Sequence, residues 1–342
     1  MRRFFILALV GGMVGGLGWF VDQRGFNGLE KLDLRSWLQR PVATEEEQHG
    51  AEQHAPLRIA SFKVRGFHQS SLEDSRSRGV LLEVVRGFDV LTLQGLDSSA
   101  SAVITGFVSL VNAGGRRYDF VLGPISGRNG RLRRSAVLFD TEKVDLDRGA
   151  LYAVDDPDHL LAHPPLVAWF RARGVPTASA LTFTLMVVDS KLSELEPLAA
   201  ACRAVRDDGR GEDDLLVAGD FGGSNSDWAA LAELARLAPA ITGVPTNTVG
   251  DRQEANIYYS AAAVEFTGRA GVLDLVRQFN LTVDQALAIS DHMPVWAEFA
   301  RAERDADQFA ANTRRQVNFG SECLPTEIGD RYGVAKRAMS RR

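Results

Sequence analysis

Leu215-Leu216-Val217-Ala218-Gly219-Asp220-Phe221 and, further on, Ile289-Ser290-Asp291-His292-Met293-Pro294-Val295 are the stretches that decide how this chain reads. Each sets a carboxylate at the edge of an apolar, strand-like run, and the second adds a histidine beside it. Carboxylates and a histidine at strand ends are the raw material of metal-assisted hydrolysis. In such sites oxygen ligands hold a hard cation and an imidazole moves a proton.

The chain around them has 342 residues, 45% apolar and 24% charged, enough to bury a large core. One α/β or β-sandwich domain, or two small ones, fits that length. A net charge of −5 argues against generic attraction to nucleic acid but leaves room for a local basic patch. Cys202 and Cys323 are the only cysteines, too few for a disulfide framework or a zinc site. They could pair outside the cytoplasm; equally, the apolar helical pattern around Cys202 suits a buried free thiol.

Arg2 and Arg3 precede an uncharged run over residues 4–21. At ~1.5 Å per residue it just crosses a hydrocarbon core of ~30 Å. Gly11/Gly15 and Gly12/Gly16 have the small-xxx-small spacing of packed membrane helices. Residues 1–21 therefore read as a membrane anchor, with the N-terminus cytoplasmic and the domain extracytoplasmic, either periplasmic or extracellular. A cleaved signal segment, giving a secreted protein, is the rival, and a soluble cytosolic chain is the third reading. Residues 22–56, with the run Thr44-Glu45-Glu46-Glu47-Gln48-His49, read as a solvated linker. Residues 301–342 are mixed in charge and weakly periodic, and read as a C-terminal tail or peripheral wrap.

From residue 57 onward, short apolar runs alternate with helical patterns. Strands are expected at 57–64, 90–96, 120–122, 136–139, 181–188, 215–218, 257–259 and 295–299. Helices are expected at 72–86, 103–113, 195–205 and 228–237. Many strands with interspersed helices point to two packed sheets flanked by helices rather than one parallel sheet.

In order, the blocks resemble the deoxyribonuclease-I-like endonuclease/exonuclease/phosphatase superfamily. They are Leu57-Arg58-Ile59-Ala60-Ser61-Phe62-Lys63-Val64, Asp89-Val90-Leu91-Thr92-Leu93-Gln94-Gly95-Leu96, Tyr118-Asp119-Phe120-Val121 with Gly127-Arg128-Asn129, Gly219-Asp220-Phe221, and Ser290-Asp291-His292-Met293-Pro294-Val295. The resemblance covers roughly residues 57–300. It implies an α/β (α+β) fold, a four-layer α/β/β/α sandwich of two packed mixed sheets flanked by helices. It also implies phosphodiester hydrolysis with Mg²⁺ or Mn²⁺, and substrate contacts near Arg128 and Asn129.

Several site positions depart from the family pattern. Lys63 stands where the family has an asparagine, Gly95 where it has the metal-ligating glutamate, and Gly222 where it has a second asparagine. Ala255 replaces the carboxylate that would orient the catalytic histidine, and Asp189 occupies the place of another histidine. Asp220, Asp291 and His292 remain, with Asp220 and Asp291 the only metal-ligand candidates. Losing a glutamate and gaining a lysine makes the pocket two charges more positive. A unit charge 4 Å away contributes roughly 4 kcal/mol at an effective dielectric near 20, and a divalent cation meets about twice that from Lys63. The expectation is that the Lys63 ammonium takes the vacated metal position and pairs with Asp220 or Asp291; the alternative is a solvated strand-end lysine. If the metal chemistry is lost, no cofactor is expected; if it survives, Mg²⁺ or Mn²⁺ is.

Gly127-Arg128-Asn129-Gly130-Arg131-Leu132-Arg133-Arg134 is the dense basic stretch of the domain, either a phosphate grip for nucleic acid or another polyanion, or a solvated hairpin loop. Ser224, Ser226 and Asp227 read as a helix start. Asp155, Asp156, Asp158 and His159 read as a turn around Pro157 rather than a metal cluster. Three functions fit: a membrane-tethered, catalytically degenerate member that binds; an active divergent phosphodiesterase or nuclease using Asp189, Asp220, Asp291 and His292; or a structural protein that kept only the fold.

Overall fold

A computed structural model of the chain describes residues 55–304, apart from 66, 129 and 264. The anchor at 1–21, nearly all of the 22–56 linker, Asn129, Cys323 and the tail from 305 lie outside the described residues.

Among the described residues, twelve strands form two six-stranded sheets. The first runs β11 (Phe266–Val272), β12 (Val295–Phe299), β1 (Leu57–Lys63), β2 (Val90–Asp97), β4 (Arg133–Asp140), β3 (Tyr118–Leu122). The second runs β5 (Val144–Ala153), β6 (Leu166–Ala172), β7 (Thr182–Asp189), β8 (Leu215–Asp220), β10 (Ala255–Ser260), β9 (Leu237–Pro239). Each is mixed: β1/β2 and β7/β8 are parallel pairs in otherwise antiparallel ladders. Helices α1 (Gln69–Glu73), α2 (Ser75–Arg86) and α3 (Ala100–Val111) belong to the first half. Helices α4 (Leu195–Arg206) and α5 (Ala229–Ala235) follow in the second, then α6 (Leu275–Phe279) and α7 (Val283–Ile289) precede β12.

Strand alternation explains the layering, because successive side chains point to opposite faces. Ile59, Val137, Phe170, Leu185, Ala218 and Ile257 meet between the sheets. Residues of opposite parity serve the outer faces. Phe62, Leu91 and Leu93 pack with Val84 and Phe107 under α2 and α3, while Met186 and Val217 pack with Leu198, Cys202 and Trp228 under α4 and α5. Cys202 is a buried free thiol in contact with Met186. The four layers, helix, sheet, sheet, helix, follow from these three apolar clusters.

Some expected elements differ. The single helix at 72–86 is two, because Asp74 leaves helical geometry to cap α2, its carboxylate accepting from Ser77 N at 2.8 Å. The helix at 228–237 stops at Ala235, where Arg236 turns left-handed (φ 54°) and Leu237 enters β9. Strands β5, β6, β9 and β11 were not expected. β5, β9 and β11 lie at sheet edges, and the half-exposed faces of β5 and β11 carry charges and glycines instead of an apolar alternation. β6 is a short run after Pro164-Pro165, a pattern that periodicity does not separate from a buried helix.

Candidate active site

Both parallel pairs are joined through helices, so the carboxyl ends of β1, β2, β7 and β8 gather at one edge of the sandwich. Lys63 ends β1, Gln94 and Gly95 lie near the end of β2, Asp189 ends β7 and Asp220 ends β8. Parallel register sets Lys63 beside Gln94 and Asp189 beside Asp220; antiparallel register sets Ala255 on the other side of Asp220.

The Lys63 ammonium bridges the two sheets. Nζ lies 2.5 Å from Asp220 Oδ2 and 2.9 Å from Asp189 Oδ1. Burial works against the lysine charge, but the two carboxylates overcome it and hold the pKa above the ordinary lysine value. Asp220 is buried at 4% exposure. Burial opposes its ionisation too, yet His292 and Lys63 outweigh that and keep the carboxyl well below the usual range. Its other oxygen accepts from Gly222 N at 3.0 Å. Gly222 has φ 61°, so the residue that lacks a side-chain ligand still serves the site with its amide.

Asp291 does not reach Lys63. It turns to His292, Oδ1 lying 3.1 Å from Nδ1. His292 Nε2 faces Asp220 Oδ2 at 3.3 Å and Glu254 Oε2 at 3.6 Å, without an aligned hydrogen bond to either. The loss of a carboxylate at Ala255 was expected to leave the imidazole unsupported, and here the reading needs correction. Carboxylates flank both ring nitrogens, because Asp291 folds back on its neighbour and Glu254 stands one residue before Ala255. Burial lowers the His292 pKa and Lys63 lowers it further, but Asp220 and Asp291 win and the net shift is upward.

The loop before β12 is pinned by Ser290, which the sequence offered only as a motif neighbour. Its hydroxyl donates to Lys63 O at 2.5 Å and accepts from His292 N at 2.9 Å. Thr246 Oγ1 accepts from Glu254 N and Ala255 N, setting Glu254 beside the imidazole. Thr246 carried no sequence signal, and Glu254 only that of a neighbour of Ala255 in a family-like block, since both act through chain segments far from the histidine.

Gly95 is a backbone necessity. Its φ is 76°, in a bulge of the β2/β4 ladder, and an added Cβ would stand 2.8 Å from Val64 O. Gly219 is another: a Cβ there would fall 1.8 Å from Val188 O of the neighbouring strand.

The basic stretch borders the same edge. Arg133 and Arg134 line a shallow depression with Gln94, Gly95, Ser126, His163 and Asp189. Arg134 is partly committed, bonding Gly123 O and Ser101 Oγ. Arg128 is exposed and donates to His159 O. Arg131 is exposed as well. His163, missed in the sequence, bonds Ser126 through Nδ1 at 3.0 Å.

A divalent cation fits this edge poorly. Lys63 Nζ fills the space between Asp189 and Asp220, and Gly95 supplies no side-chain oxygen. Among the described residues, the sets of three acidic or histidine ligand atoms within 4.8 Å of one another lie elsewhere.

No protein-family model matches the chain. It is 24% identical over 295 residues to deoxyribonuclease gamma of Rattus norvegicus, covering 79% of this chain and 90% of that protein. It is 28% identical over 278 residues to deoxyribonuclease-1-like 2 of Homo sapiens, covering 70% and 91%. Among solved structures, humanized D. rerio TDP2 superposes with a TM-score of 0.51 at 16% identity, over 71% of this chain and 98% of that one. An endonuclease/exonuclease/phosphatase family protein from Bacteroides thetaiotaomicron gives 0.50 at 16% identity, over 72% and 97%. At such identities the structural likeness concerns the fold.

Proposed function

Since the chain belongs to the deoxyribonuclease-I-like endonuclease/exonuclease/phosphatase superfamily, we propose that it keeps the fold while having exchanged metal catalysis for binding of a phosphate-bearing ligand. The observation that carries this reading is the Lys63 ammonium between Asp189 and Asp220. An ammonium there pairs with both carboxylates, offsets one of their two negative charges and takes up the oxygens a divalent cation would need. Displacing it would mean breaking two part-buried ion pairs and placing like charges together, at a cost of a few kcal/mol.

The ligand on this reading is a nucleic acid or a related polyanion, gripped by Arg128, Arg131, Arg133 and Arg134 at the rim. Guanidinium forks suit phosphate geometry, and affinity of this kind falls steeply with salt. The relatives' names, deoxyribonucleases, favour a nucleic-acid ligand over a small phosphate ester. We further propose tethering through residues 4–21 with the domain outside the cytoplasm, a reading that rests on the sequence of that segment. Among the described residues no helix is long and apolar enough to cross a membrane.

Plasmid DNA and small phosphodiesters, offered with Mg²⁺ or Mn²⁺, test the proposal. The expected result is no turnover, together with a gel shift that vanishes when the four arginines become serine. The second reading, an active divergent phosphodiesterase, draws on one observation: His292 retains a carboxylate at Nδ1, as a general base requires. Metal-dependent turnover lost on His292→Ala would establish it in place of the first.

A further inference from the structure

We propose that the pole of the sandwich opposite Lys63 binds a hard divalent cation of the calcium class between Asp214, Glu265 and Glu303. Asp214 immediately precedes β8 and Asp220 ends it, so the two poles are separated by the strand's length, roughly 20 Å at ~3.3 Å per residue. Glu265 immediately precedes β11, and Glu303 follows β12. One ligand atom from each of these three side chains lies within 4.8 Å of the others.

Two of the three are deeply buried, Asp214 at 5% exposure and Glu265 at 3%. Asp214 stands out for its lack of a partner. Its backbone N–H donates to Glu212 Oε1 and its carbonyl accepts from Thr184 N, but among the described residues no hydrogen bond or ion pair reaches its carboxylate. A buried carboxylate left unpaired costs several kcal/mol, more so when its neighbours are also negative. The surrounding acids are held by backbone amides that aim them inward. Glu303 Oε1 accepts from Thr182 N at 2.8 Å, and Glu265 Oε1 from Arg304 N at 2.8 Å. Further acids, Glu212 and Asp213, stand on the flank, where Glu212 and Asp213 form a second set with Asp214.

Such a donor set is all oxygen and all anionic, which selects a hard cation over zinc or copper. Calcium accepts several carboxylate oxygens in an adaptable shell, which suits acids drawn from three separate segments; magnesium demands a near-ideal octahedron and keeps more of its waters. A cation here would tie the starts of β7 and β8 in one sheet to β11 and β12 in the other. Lysine would then clip the sheets at one pole and a metal at the other.

Trp169 supplies a local reporter, since its indole N–H donates to Glu212 Oε2 at 2.8 Å. The full-length chain, stripped with chelator, is titrated with CaCl₂ and with MgCl₂ while its melting temperature is read. Calcium should raise it by about 5 °C at saturation, with magnesium weaker. Terbium should give luminescence sensitised through Trp169, displaced by calcium and lost in Trp169→Phe. Asp214→Asn should melt no lower than the stripped native chain, because it replaces an unpartnered buried carboxyl by a neutral amide of the same shape, and should lose both responses. Asp189→Asn, at the other pole, should keep them. A native melting temperature indifferent to millimolar calcium would overturn the proposal, and so would responses that survive Asp214→Asn or disappear in Asp189→Asn.

Discussion

Lys63 Nζ and Asp220 Oδ2 lie 2.5 Å apart across the space between the two sheets, with Lys63 at the end of β1 and Asp220 at the end of β8. That contact clips the two sheets together and, on the proposed function, stands where a metal would sit, and the two roles make separable predictions. Lys63→Met leaves Asp189 and Asp220 facing each other without a cation. Stability should fall by about 2–4 kcal/mol in guanidinium denaturation, somewhat less than breaking a fully buried pair costs, because the lysine is partly solvent-exposed. The Lys63→Met/Asp220→Asn double variant should recover more than half of that loss. A smaller Lys63→Asn replacement should open the space, adding heat on calorimetric titration with Mg²⁺ beyond whatever the native chain gives.

Restoring the family's glutamate alone should fail. At φ 76°, with Val64 O 2.8 Å from any Cβ, Gly95→Glu and Gly95→Ala should each lose about 1–3 kcal/mol. Equal losses in the two variants would place the cause in the backbone; a loss confined to Gly95→Glu would place it in the charge. Neither should gain phosphodiesterase activity.

Gly219 precedes the buried aspartate for a reason unrelated to chemistry. Its Cβ would collide with Val188 O at 1.8 Å, so Gly219→Ala must push β8 away from β7 or unfold the edge. The expected cost is at least about 2 kcal/mol by denaturation, the order of overpacked cores. The Asp189–Lys63–Asp220 arrangement depends on that spacing, so rim binding in a gel shift should weaken as well.

The pH dependence follows from opposite shifts. His292 is raised above its ordinary 6.5, so its contribution is fully present below that pH and is lost as pH rises through the folded value. Asp220 is lowered from its ordinary 3.8, so its contribution is present above that pH and is lost on acidification. Together they contribute most between about pH 4 and 6.5. Asp214, pushed up to about 8 by burial and by Glu265, Glu303, Asp213 and Glu212, adds a loss of stability with rising pH in metal-free protein. The informative quantity is therefore the difference between the native chain and His292→Asn. That gap should narrow from pH 6 to pH 9 in chelator; a gap that stays constant would mean that His292 does not titrate with folding.

Much of the fold was legible because its interior strands carry long apolar runs. β2, β7 and β8 read directly, and their order with the Gly219-Asp220-Phe221 and Ser290-Asp291-His292 motifs matched a known architecture. Edge strands were illegible: β5 and β11 face solvent over much of their length, so their sequences obey solubility more than packing. At the site, Lys63, Gly95, Gly222 and Ala255 were visible as departures in residue type. Glu254 and Ser290 were not, since one acts across a loop and the other by holding the end of β1.

The sequence by itself determined which chemical groups are present at each strand end, because residue identity and strand order are linear properties of the chain. It therefore carried the family resemblance and the departures from it at Lys63, Gly95, Gly222 and Ala255. Only the tertiary structure decided which charge meets which: that Lys63 reaches Asp189, 126 positions away, as well as Asp220, that Asp291 turns to His292, and that Asp214 is buried among acids. Coulomb energies depend on separations of a few ångströms and on exclusion of water. Both quantities are set by how the two sheets pack, and neither is written along the chain.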